Sequence, residues 1–540
     1  MHFLKSVNAT AHVAQLASKY NAKWANQAAG SRFYIQNALE LLDSVGEFYV
    51  DAGRRRVLLR LAPGDDPNQG DDPIVLAAPL ELLQIDGDVE GVTFQNVIFA
   101  HTAVEATAIT RGLSGQSGDF LQTAAVHVRH ARDVKFLSCS FHATGGYAFW
   151  AEEEAHGAQL SRCHAFDLGA GAVRFGSGHD AVSEGHAVYD SVLRDGGYVW
   201  QEGCGVLAQK VQNVTLSHNE IHHFRYTGVS TGWTWGYAPT VVHNVVTSNN
   251  HIHDLGLGYL SDMGCVYTLG HQPGSRVVNN FCHDVQSFNY GGWAFYTDEG
   301  SRDEMFSSNV AVRTKCAGHH QHYGTDNNIT NNIYYDVNIG DVPTPGRPEV
   351  LMHGHCDAAV RASTHSRDPK TCSPDKAPHA GCCCYPGCDQ GKCSSFKFAR
   401  NIVFLPVSSN STFVGTGFSH GLDNFTFINN TYFAKGRSPS APLFNFTLEP
   451  FDAWQLAGKD AGSGLEDPQF LSLDPTFTLS STSPAIGRGF IPIDTSVIGP
   501  RASAGASGRS VAPSHAPQVR ELVELGLVVD TTGTASAHVI

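Results

Sequence analysis

The feature that most constrains this chain of 540 residues is a repeat with a period of 23 to 31 residues. A small polar residue or a cysteine followed by a short strand pattern recurs at Cys139, Cys163, Asp190, Asn219, Asn250, Asn280, Asn309 and Asn332. Each unit then reaches a glycine and a second short strand, which leaves no room for a crossover helix. Short strands at this period cannot bury a face alone, so they must stack on their neighbours. The sequence therefore predicts an all-β fold, a right-handed parallel β-helix.

Residues at equal offsets in successive coils are expected to form ladders, because parallel strands stack about 4.8 Å apart. The five asparagines of the repeat predict one ladder, with side-chain amides bonding the backbone of the next coil at a corner that asparagine tolerates. His222, His253 and His283 follow their anchors by three residues and should also stack. We interpret these histidines as packing and hydrogen-bonding residues, and we expect no metal and no other cofactor.

Breaks in the repeat divide the chain into five predicted segments. They are an N-terminal tail and β-hairpin cap (1–90), the β-helix core (91–345), a cysteine-rich insertion (346–397), C-terminal coils (398–500) and a flexible tail with a short helix over QVRELVELGL (501–540). Seven cysteines lie between Cys356 and Cys393, and their spacing lacks the paired C-x2-C of a zinc ribbon, which favours a disulfide-stapled loop. The other six cysteines are predicted to be free thiols in the core.

Charge and composition limit the partners. A net charge of -15 disfavours nucleic acid and anionic membrane surfaces, both of which bind basic patches. No run of eighteen apolar residues occurs, so we expect no membrane span and a monomer that binds neutral ligands. Seven N-x-Ser/Thr motifs and the cysteine-rich segment indicate a secreted protein. The first residues lack the apolar core of a secretory signal, so we expect the true N-terminus to be missing.

The middle coils combine carboxylates, imidazoles and aromatic rings. Rings stack on the apolar faces of sugars and polar groups bond hydroxyls, so this mixture predicts a carbohydrate groove along one flank. The candidate substrate-binding residues are Glu202, Trp233, Tyr267, Trp293, Tyr296, Glu299, His319, His320 and His322.

Asp262 and Asp298 lie on consecutive coils and are the candidate catalytic pair. Glycoside hydrolysis uses two carboxylates, about 5 to 5.5 Å apart for retention and about 6.5 to 9.5 Å for inversion. Asp298 lies six positions further along its coil than Asp262, which predicts a larger separation unless the Gly291-Gly292 turn bulges. Glu202 shares the offset of Asp262 two coils earlier and is a spare candidate. The alternative for each aspartate is a turn-capping role.

The segments NNHIHDLGLGYLSDMGCVYTLG, NYGGWAFYTDEGS and RTKCAGHHQHYGTDNNITNNI resemble the β-helix proteins of glycoside hydrolase family 141. The resemblance extends over roughly residues 30 to 500. It implies a solenoid of the pectate-lyase type, a fucosidase or xylanase activity on plant-type polysaccharides, and an aspartate pair at Asp262 and Asp298. The cysteine insertion departs from the family pattern.

Two other functions remain open. A β-helix polysaccharide lyase or epimerase needs a base such as Lys or Arg and a charge-neutralising group at a uronate, and only Arg313 and Lys315 lie close to the motif in sequence. A non-catalytic carbohydrate-binding solenoid would use the same rings without turnover.

Overall fold

The computed structural model describes residues 3–17, 33–64, 66, 74–179, 182–322, 324–337, 358–362, 396–406, 412–414, 425–438, 440–441, 450–501 and 523–526. Successive short strands wind through three long sheets, and each strand pairs in parallel with its equivalent one coil away. The predicted stacking of coils into a parallel β-helix is therefore confirmed. The cysteine-rich part of the insertion lies outside the described residues.

Each coil contributes one strand to each sheet, in the order sheet 1, sheet 2, sheet 3. Sheet 1 comprises Leu83–Glu90, Ala124–Arg132, Tyr147–Glu152, Val173–Gly176, Val206–Gln209, Val229–Gly232, Gly264–Thr268, Trp293–Thr297, His319–Gln321, Ala358–Ala362 and Thr412–Val414. Sheet 2 comprises Thr93–Gln95, Lys135–Leu137, Gln159–Ser161, Ala187–Tyr189, Thr215–Ser217, Val246–Ser248, Arg276–Val278, Met305–Ser307, Asn327–Thr330, Phe396–Ala399 and Phe425–Ile428. Sheet 3 comprises Ile98–Ala100, Ser140–Thr144, His164–Leu168, Val192–Gly196, Glu220–Phe224, His251–Leu255, Phe281–Val285, Val310–Thr314, Ile333–Tyr335, Ile402–Leu405, Thr431–Ala434 and Gly464–Leu465.

The core fills the space between the three sheets. Alternate residues of every strand point inward, as the pleat requires, and rings such as Phe136, Phe149 and Phe295 pack there fully buried. Adjacent coils stack these apolar rows on one another, which supplies the burial that a single coil lacks. The other face of each strand remains available for polar side chains.

The asparagine ladder at the corner between sheets 2 and 3 is confirmed. In each rung the backbone N–H and the side-chain amide of one asparagine donate to Oδ1 of the next, as between Asn250 and Asn280 at 3.0 and 2.9 Å. The ladder continues across the insertion through Asn401 and Asn430, which the repeat analysis missed. The left-handed backbone lies one residue earlier, for example at Asn279 with φ of 57°. The ladder asparagine therefore bonds the corner, and its predecessor makes the bend.

The histidine ladder is also confirmed. His222 stacks on His253 and His253 stacks on His283, each with ring centroids 4.8 Å apart and nearly parallel planes. The prediction of six free thiols is wrong in part. Cys139, Cys163 and Cys204 are free and buried, but Cys265 and Cys282 form a disulfide. Cys316 is disulfide-bonded as well.

The disulfide has a geometric cause. Cys265 lies in the sheet 1 strand and Cys282 in the sheet 3 strand of the same coil, and both side chains point inward. Their Cα atoms are 6.2 Å apart, within the range that a disulfide spans. A repeat pattern reports the offset of each cysteine in its own coil but not which inward positions face each other.

The ends of the chain differ from the predicted segments. The first coil begins at Leu83 rather than residue 91, because Leu83–Glu90 pairs with Ala124–Arg132. A hairpin of Phe48–Asp51 and Arg56–Leu59 precedes it, as predicted, and its second strand pairs with Val523–Gly526. The helix predicted over QVRELVELGL is therefore wrong at Val523–Gly526, which form a strand. A separate antiparallel pair joins Leu4–Asn8 to Val13–Leu16.

Residues 466–501, which we call the strap, do not add coils. They run back along the solenoid, since Ile491 N–H donates to Asn331 Oδ1 at 2.7 Å and Gly499 N–H donates to the carbonyl of Asn249 at 2.8 Å. Phe477 of the strap packs on Phe281 of sheet 3. The prediction of coils up to residue 500 is corrected here: the described coils end at Gly464–Leu465.

Helices are few and short. They are Ala106–Arg111, Phe451–Leu456 and Pro484–Gly487, with 3-10 turns at Leu39–Leu41, Gln116–Gly118 and Thr495–Val497. A two-stranded pair of Ser301–Arg302 and Gly324–Thr325 completes the strands. None of the helices within the described residues is long and apolar enough to cross a membrane.

Candidate active site

The candidate site lies on the outer face of sheet 1, where polar and aromatic side chains of successive coils come into register. Tyr267 pairs with Tyr296 on the next strand, and Tyr296 pairs with His320 on the strand after that. The rings of Tyr267 and Tyr296 meet edge to face with centroids 4.8 Å apart. All three side chains are almost completely buried, so this row forms the floor of the site.

Asp298 follows directly after the strand Trp293–Thr297 and stands at one end of this floor. Its carboxylate accepts a hydrogen bond from the hydroxyl of Tyr267 and another from Nδ1 of His322 at 2.9 Å. Only 5% of Asp298 is exposed. These two donors, one from the preceding coil and one from the following coil, hold the carboxylate in a fixed orientation.

Asp262 approaches from the loop ahead of the strand Gly264–Thr268. Its backbone has a left-handed φ of 59°, and its Oδ1 accepts a hydrogen bond from the hydroxyl of Tyr296 at 3.0 Å. The hydroxyl of Tyr226, one coil earlier, donates to the backbone carbonyl of Asp262 at 2.8 Å. The residue as a whole is partly exposed, but its carboxyl group is largely buried.

The two aspartates are therefore linked crosswise. Tyr267 belongs to the coil of Asp262 but bonds Asp298, and Tyr296 belongs to the coil of Asp298 but bonds Asp262. Long tyrosine side chains on paired strands bridge the offset that strand geometry alone predicts to be large. The Gly291-Gly292 turn also contributes, because a Cβ on Gly291 at its φ of 97° would lie 2.8 Å from the backbone nitrogen of Asp262.

Burial and neighbouring charges shift the pKa values of several groups around the aspartate pair. Burial, followed by the nearby negative charge of Asp298, raises the pKa of Asp262 to about 7. Burial lowers the pKa of His322, but its hydrogen bond to Asp298 and the surrounding carboxylates outweigh this effect, so the pKa of His322 is raised. Burial also raises the pKa of Tyr267 and of Tyr296 well above the ordinary value, so both remain hydroxyl donors.

Aromatic packing supports the floor from one side. Trp293 stacks on His320 with ring centroids 4.2 Å apart and an angle of 15° between the planes. Trp293 is completely buried, so it fixes His320 and Tyr296 rather than contacting a ligand. Tyr290 packs edge to face on Trp293 and is 45% exposed, which places an accessible ring beside the site.

A second group of polar residues lies towards the N-terminal coils. Glu202 occupies the loop before Val206–Gln209, at the position equivalent to Asp262 two coils later, as predicted. Trp233 is nearly buried, and its Nε1 donates to Asp119 Oδ2 at 3.4 Å. Burial raises the pKa of Glu202, and the charge of Asp119 adds to this effect.

The candidate residues predicted from sequence divide between the aspartate pair and other parts of the fold. Asp262, Tyr267, Tyr296, Asp298, His320 and His322 are brought together, Trp293 supports them, and Glu299 is the partly exposed neighbour of Asp298. His319 is not part of this group. It points into the core, where its ring packs edge to face on Phe306 with centroids 5.0 Å apart.

Two residues of the site were missed from sequence. Tyr226 precedes Gly228 in its coil, so its aromatic side chain in a loop of the repeat could have suggested a contact with the next coil. Asp119 lies in residues 101–123, which have no counterpart in other coils, and no repeat signal points to it. Burial raises the pKa of Asp119 despite the opposing charge of Arg174.

Comparisons with known proteins support the fold. A family described as "Right handed beta helix region" matches residues 84–281, which confirms the predicted right-handed parallel β-helix. This range begins within the first strand of sheet 1 and ends at the start of Phe281–Val285, the sheet 3 strand of the coil that contains Asp262. A comparison with curated proteins found no match.

The comparison with solved structures gives a likeness in fold to one glycoside hydrolase and weaker likenesses to other chains. A glycoside hydrolase is 24% identical, covers 55% of this chain and has a TM-score of 0.50. XylC in complex with xylose is 12% identical over 66% of this chain with a TM-score of 0.37, and a PL6 alginate lyase in complex with a trisaccharide is 13% identical over 81% with a TM-score of 0.42. The alignments span 57%, 54% and 98% of those chains, so the present chain matches about half the length of the first two.

Proposed function

We propose that this protein is a glycoside hydrolase that uses Asp262 and Asp298 as its carboxylate pair. The observation that carries the proposal is the crosswise linkage, in which each aspartate accepts a hydrogen bond from the tyrosine of the other's coil. This arrangement holds two acidic groups with different surroundings over one aromatic floor. Glycoside hydrolysis requires such a pair, one protonated and one ionised.

The surroundings suggest the role of each aspartate. Asp262 has a pKa of about 7, so it holds a proton at mildly acidic pH and suits the general acid. Asp298 accepts hydrogen bonds from Tyr267 and His322 and suits the nucleophile of a retaining enzyme or the base of an inverting enzyme. The anomeric configuration of the first product, measured by NMR, distinguishes these two courses.

The proposed substrate is a neutral plant-type glycan that contains xylose or fucose. This choice rests on the resemblance to glycoside hydrolase family 141 and on the acidic character of the groove, to which Glu202, Glu299 and Asp119 contribute. Exposed rings such as Tyr290 at 45% and Trp235 at 40% are suited to stacking on sugars beside the aspartates.

The lyase alternative from sequence relied on Lys315 and Arg313 as candidate bases. Lys315 donates to the backbone carbonyls of Ser287 and Phe288 at 3.1 and 3.0 Å. Arg313 forms ion pairs with Asp284 and Asp474, on sheet 3 and the strap. The contacts described for both residues are therefore not with the aspartate pair.

The test is the variant Asp298→Asn, assayed with the full chain against a panel of xylans, xylo-oligosaccharides and fucosides. We expect turnover to fall by at least about 1000-fold, in line with loss of an essential catalytic group, while the melting temperature stays unchanged. Asn keeps the shape of the side chain and an oxygen that accepts the hydroxyl of Tyr267.

The matched control is Asp303→Asn, which removes a carboxylate from the same coil that pairs with His271 instead. This control should retain wild-type turnover. The proposal is wrong if Asp298→Asn retains activity, or if the wild-type protein binds members of the panel and cleaves none. The second outcome would indicate a non-catalytic binding solenoid.

A further inference from the structure

A second cluster of side chains lies away from the aspartate pair, on the outer face of sheet 3. The strands Glu220–Phe224 and His251–Leu255 pair in parallel there, with Glu220 opposite His251 and His222 opposite His253. Glu220, His222 and His253 each offer one ligand atom, and these atoms all lie within 4.8 Å of one another. All three residues are partly exposed, so the cluster is open to solvent.

We propose that Glu220, His222 and His253 form a binding site for a divalent transition-metal ion such as Zn²⁺, a site that links two adjacent coils. This inference does not depend on the proposed glycosidase activity. It also reverses the expectation from sequence, in which the histidine ladder had only a packing role. The stacking of the rings at 4.8 Å is confirmed, and the proposal adds a role for their nitrogens.

The separations between the three ligand atoms are close to those found around a bound zinc ion. Zinc bonds of about 2.0 to 2.1 Å to nitrogen and oxygen place tetrahedral ligand atoms about 3.3 Å apart. Nε2 of His253 is already 3.5 Å from Oε1 of Glu220. Closure around an ion therefore needs a movement of about 1 to 1.5 Å at the widest contact, which rotation of the Glu220 side chain and a small tilt of the rings provide.

A carboxylate orients one of the two histidines in the way that metal sites require. A ligating histidine usually donates its other ring N–H to a carboxylate or carbonyl, which fixes the tautomer. Nδ1 of His253 lies 2.7 Å from Oδ2 of Asp254, so Nε2 is the nitrogen left for a ligand. Nδ1 of His222 lies 2.6 Å from Nδ1 of His223, which likewise leaves Nε2 of His222.

The ligand atom of His253 is held only by a long contact with the proposed carboxylate ligand. Nε2 of His253 is buried, makes no hydrogen bond within the part of the chain that the structure describes, and has Oε1 of Glu220 at 3.5 Å as an ion-pair partner. Buried polar atoms without a partner are rare in folded proteins, and an ion or a water molecule is a frequent explanation.

The donor set selects the class of ion. Two imidazoles and one carboxylate suit Zn²⁺, Co²⁺, Ni²⁺ and Cu²⁺, whereas Ca²⁺ and Mg²⁺ prefer oxygen ligands alone. Three protein ligands leave one position of a tetrahedral ion for water. Because the ligands come from two coils, binding would stabilise the stacking of Glu220–Phe224 on His251–Leu255.

The experiment measures metal binding by the full-length, oxidised protein. Isothermal titration with Zn²⁺ compares the wild type with Glu220→Gln and His253→Ala, and Co²⁺ absorption reports the ligand type. We expect each variant to lose one site, or at least 10-fold in affinity for it, relative to the wild type. The Co²⁺ spectrum of this site should lack thiolate charge-transfer bands, which separates it from any binding by the cysteine-rich segment.

The matched control is His283→Ala, which removes the next ring of the same ladder together with a similar His–Asp pair. This control should bind Zn²⁺ as the wild type does. Equal loss in His283→Ala would overturn the assigned ligands. Wild-type stoichiometry and affinity in Glu220→Gln would overturn the site, and this variant changes a side chain that is 35% exposed, so the fold should persist.

Discussion

At the scale of single residues, Asp262 combines a functional position with a cost to folding. Its pKa is about 7 in the folded protein, and burial is the main cause. In the unfolded chain the carboxyl group titrates near 3.8, so the unfolded state releases its proton first as the pH rises. The stability contributed by the protonated form is therefore fully present below about pH 4 and is lost between pH 4 and 7.

The raised pKa of Asp262 predicts how the stability of Asp262→Asn depends on pH. The variant removes the cost of ionising a buried carboxylate, so above pH 7 it should exceed the wild type in free energy of unfolding, by up to a few kcal/mol at about 1.4 kcal/mol per pKa unit. At pH 4 the two proteins should unfold at the same temperature. Thermal unfolding from pH 4 to 8 measures the difference, and a constant difference across that range would contradict the raised pKa.

A second prediction concerns the hydroxyl of Tyr296. If Asp262 is the general acid, kcat/KM should fall on the alkaline side with an apparent pKa near 7. The hydrogen bond from Tyr296 lowers the pKa of Asp262, so Tyr296→Phe should move this alkaline limb upward by up to about one pH unit. The pH dependence of kcat/KM for the two proteins provides the measurement.

Tyr267→Phe is the control for this shift. It removes an equivalent hydroxyl from the neighbouring strand, but one that bonds Asp298. We expect a lower kcat and an alkaline limb close to that of the wild type. A limb that stays in place in Tyr296→Phe, or that moves equally in both variants, would show that Asp262 is not the group that titrates.

The residues of the site show where sequence reasoning is reliable. Asp262 and Asp298 are recognisable as a pair because they stand in consecutive coils beside aromatic residues. Their arrangement was not predictable, since a spacing in sequence measures distance along a strand and ignores the length of a side chain. Tyr267 and Tyr296 reach across that distance. His319 was misplaced for a related reason: the alternation within the HHQ strand turns His320 outward and His319 inward.

At the scale of structural elements, the asparagine ladder is the main device that joins one coil to the next. Oδ1 of Asn280 accepts from the backbone N–H and the amide of Asn250, and its Nδ2 donates to the carbonyl of Thr247 at 2.9 Å. Asn280→Ala would leave the N–H of Asn250 without a partner in a fully buried corner and would remove the hydrogen bond to this carbonyl.

We therefore expect Asn280→Ala to destabilise the protein by about 2 to 4 kcal/mol, from about 1 to 3 kcal/mol for the buried N–H left unpaired and about 1 kcal/mol for the lost hydrogen bond. The midpoint of urea unfolding measures this loss. Asn279→Gly is the control, because Asn279 is partly exposed and glycine accepts its φ of 57° without strain. A similar loss in the two variants would mean that the corner bend, rather than the ladder, is what matters.

The elements that sequence predicted well are those that repeat. The stacking of His222 on His253 and the Asn219 to Asn332 ladder follow directly from equal offsets in successive coils. Elements used once could not be predicted this way. The strap has strand-like residues between 467 and 500, but its contacts with Asn249 and Asn331 depend on how the chain turns after the last coil.

At the scale of the whole molecule, the net charge of -15 bears on the choice between hydrolase and lyase. The groove on sheet 1 adds its own carboxylates, among them Asp119, Glu202 and Glu299. A polymer of uronates would bring like charges into this field, whereas a neutral glycan would not. Repulsion between exposed charges weakens as salt shortens the screening length from about 30 Å at 0.01 M to about 8 Å at 0.15 M.

The last prediction follows from this field. With the Asp298→Asn protein, xylo-oligosaccharides should bind with an affinity that changes less than about 2-fold between 0.01 and 0.15 M salt. The reason is that these ligands carry no net charge for salt to screen. Oligouronates of equal length should bind more weakly at low salt and gain affinity as salt rises. Isothermal titration at the two salt concentrations measures both ligands. Tight uronate binding that weakens with salt would instead indicate a basic subsite. This result would favour the lyase, because a lyase site has to attract the carboxylates of its substrate.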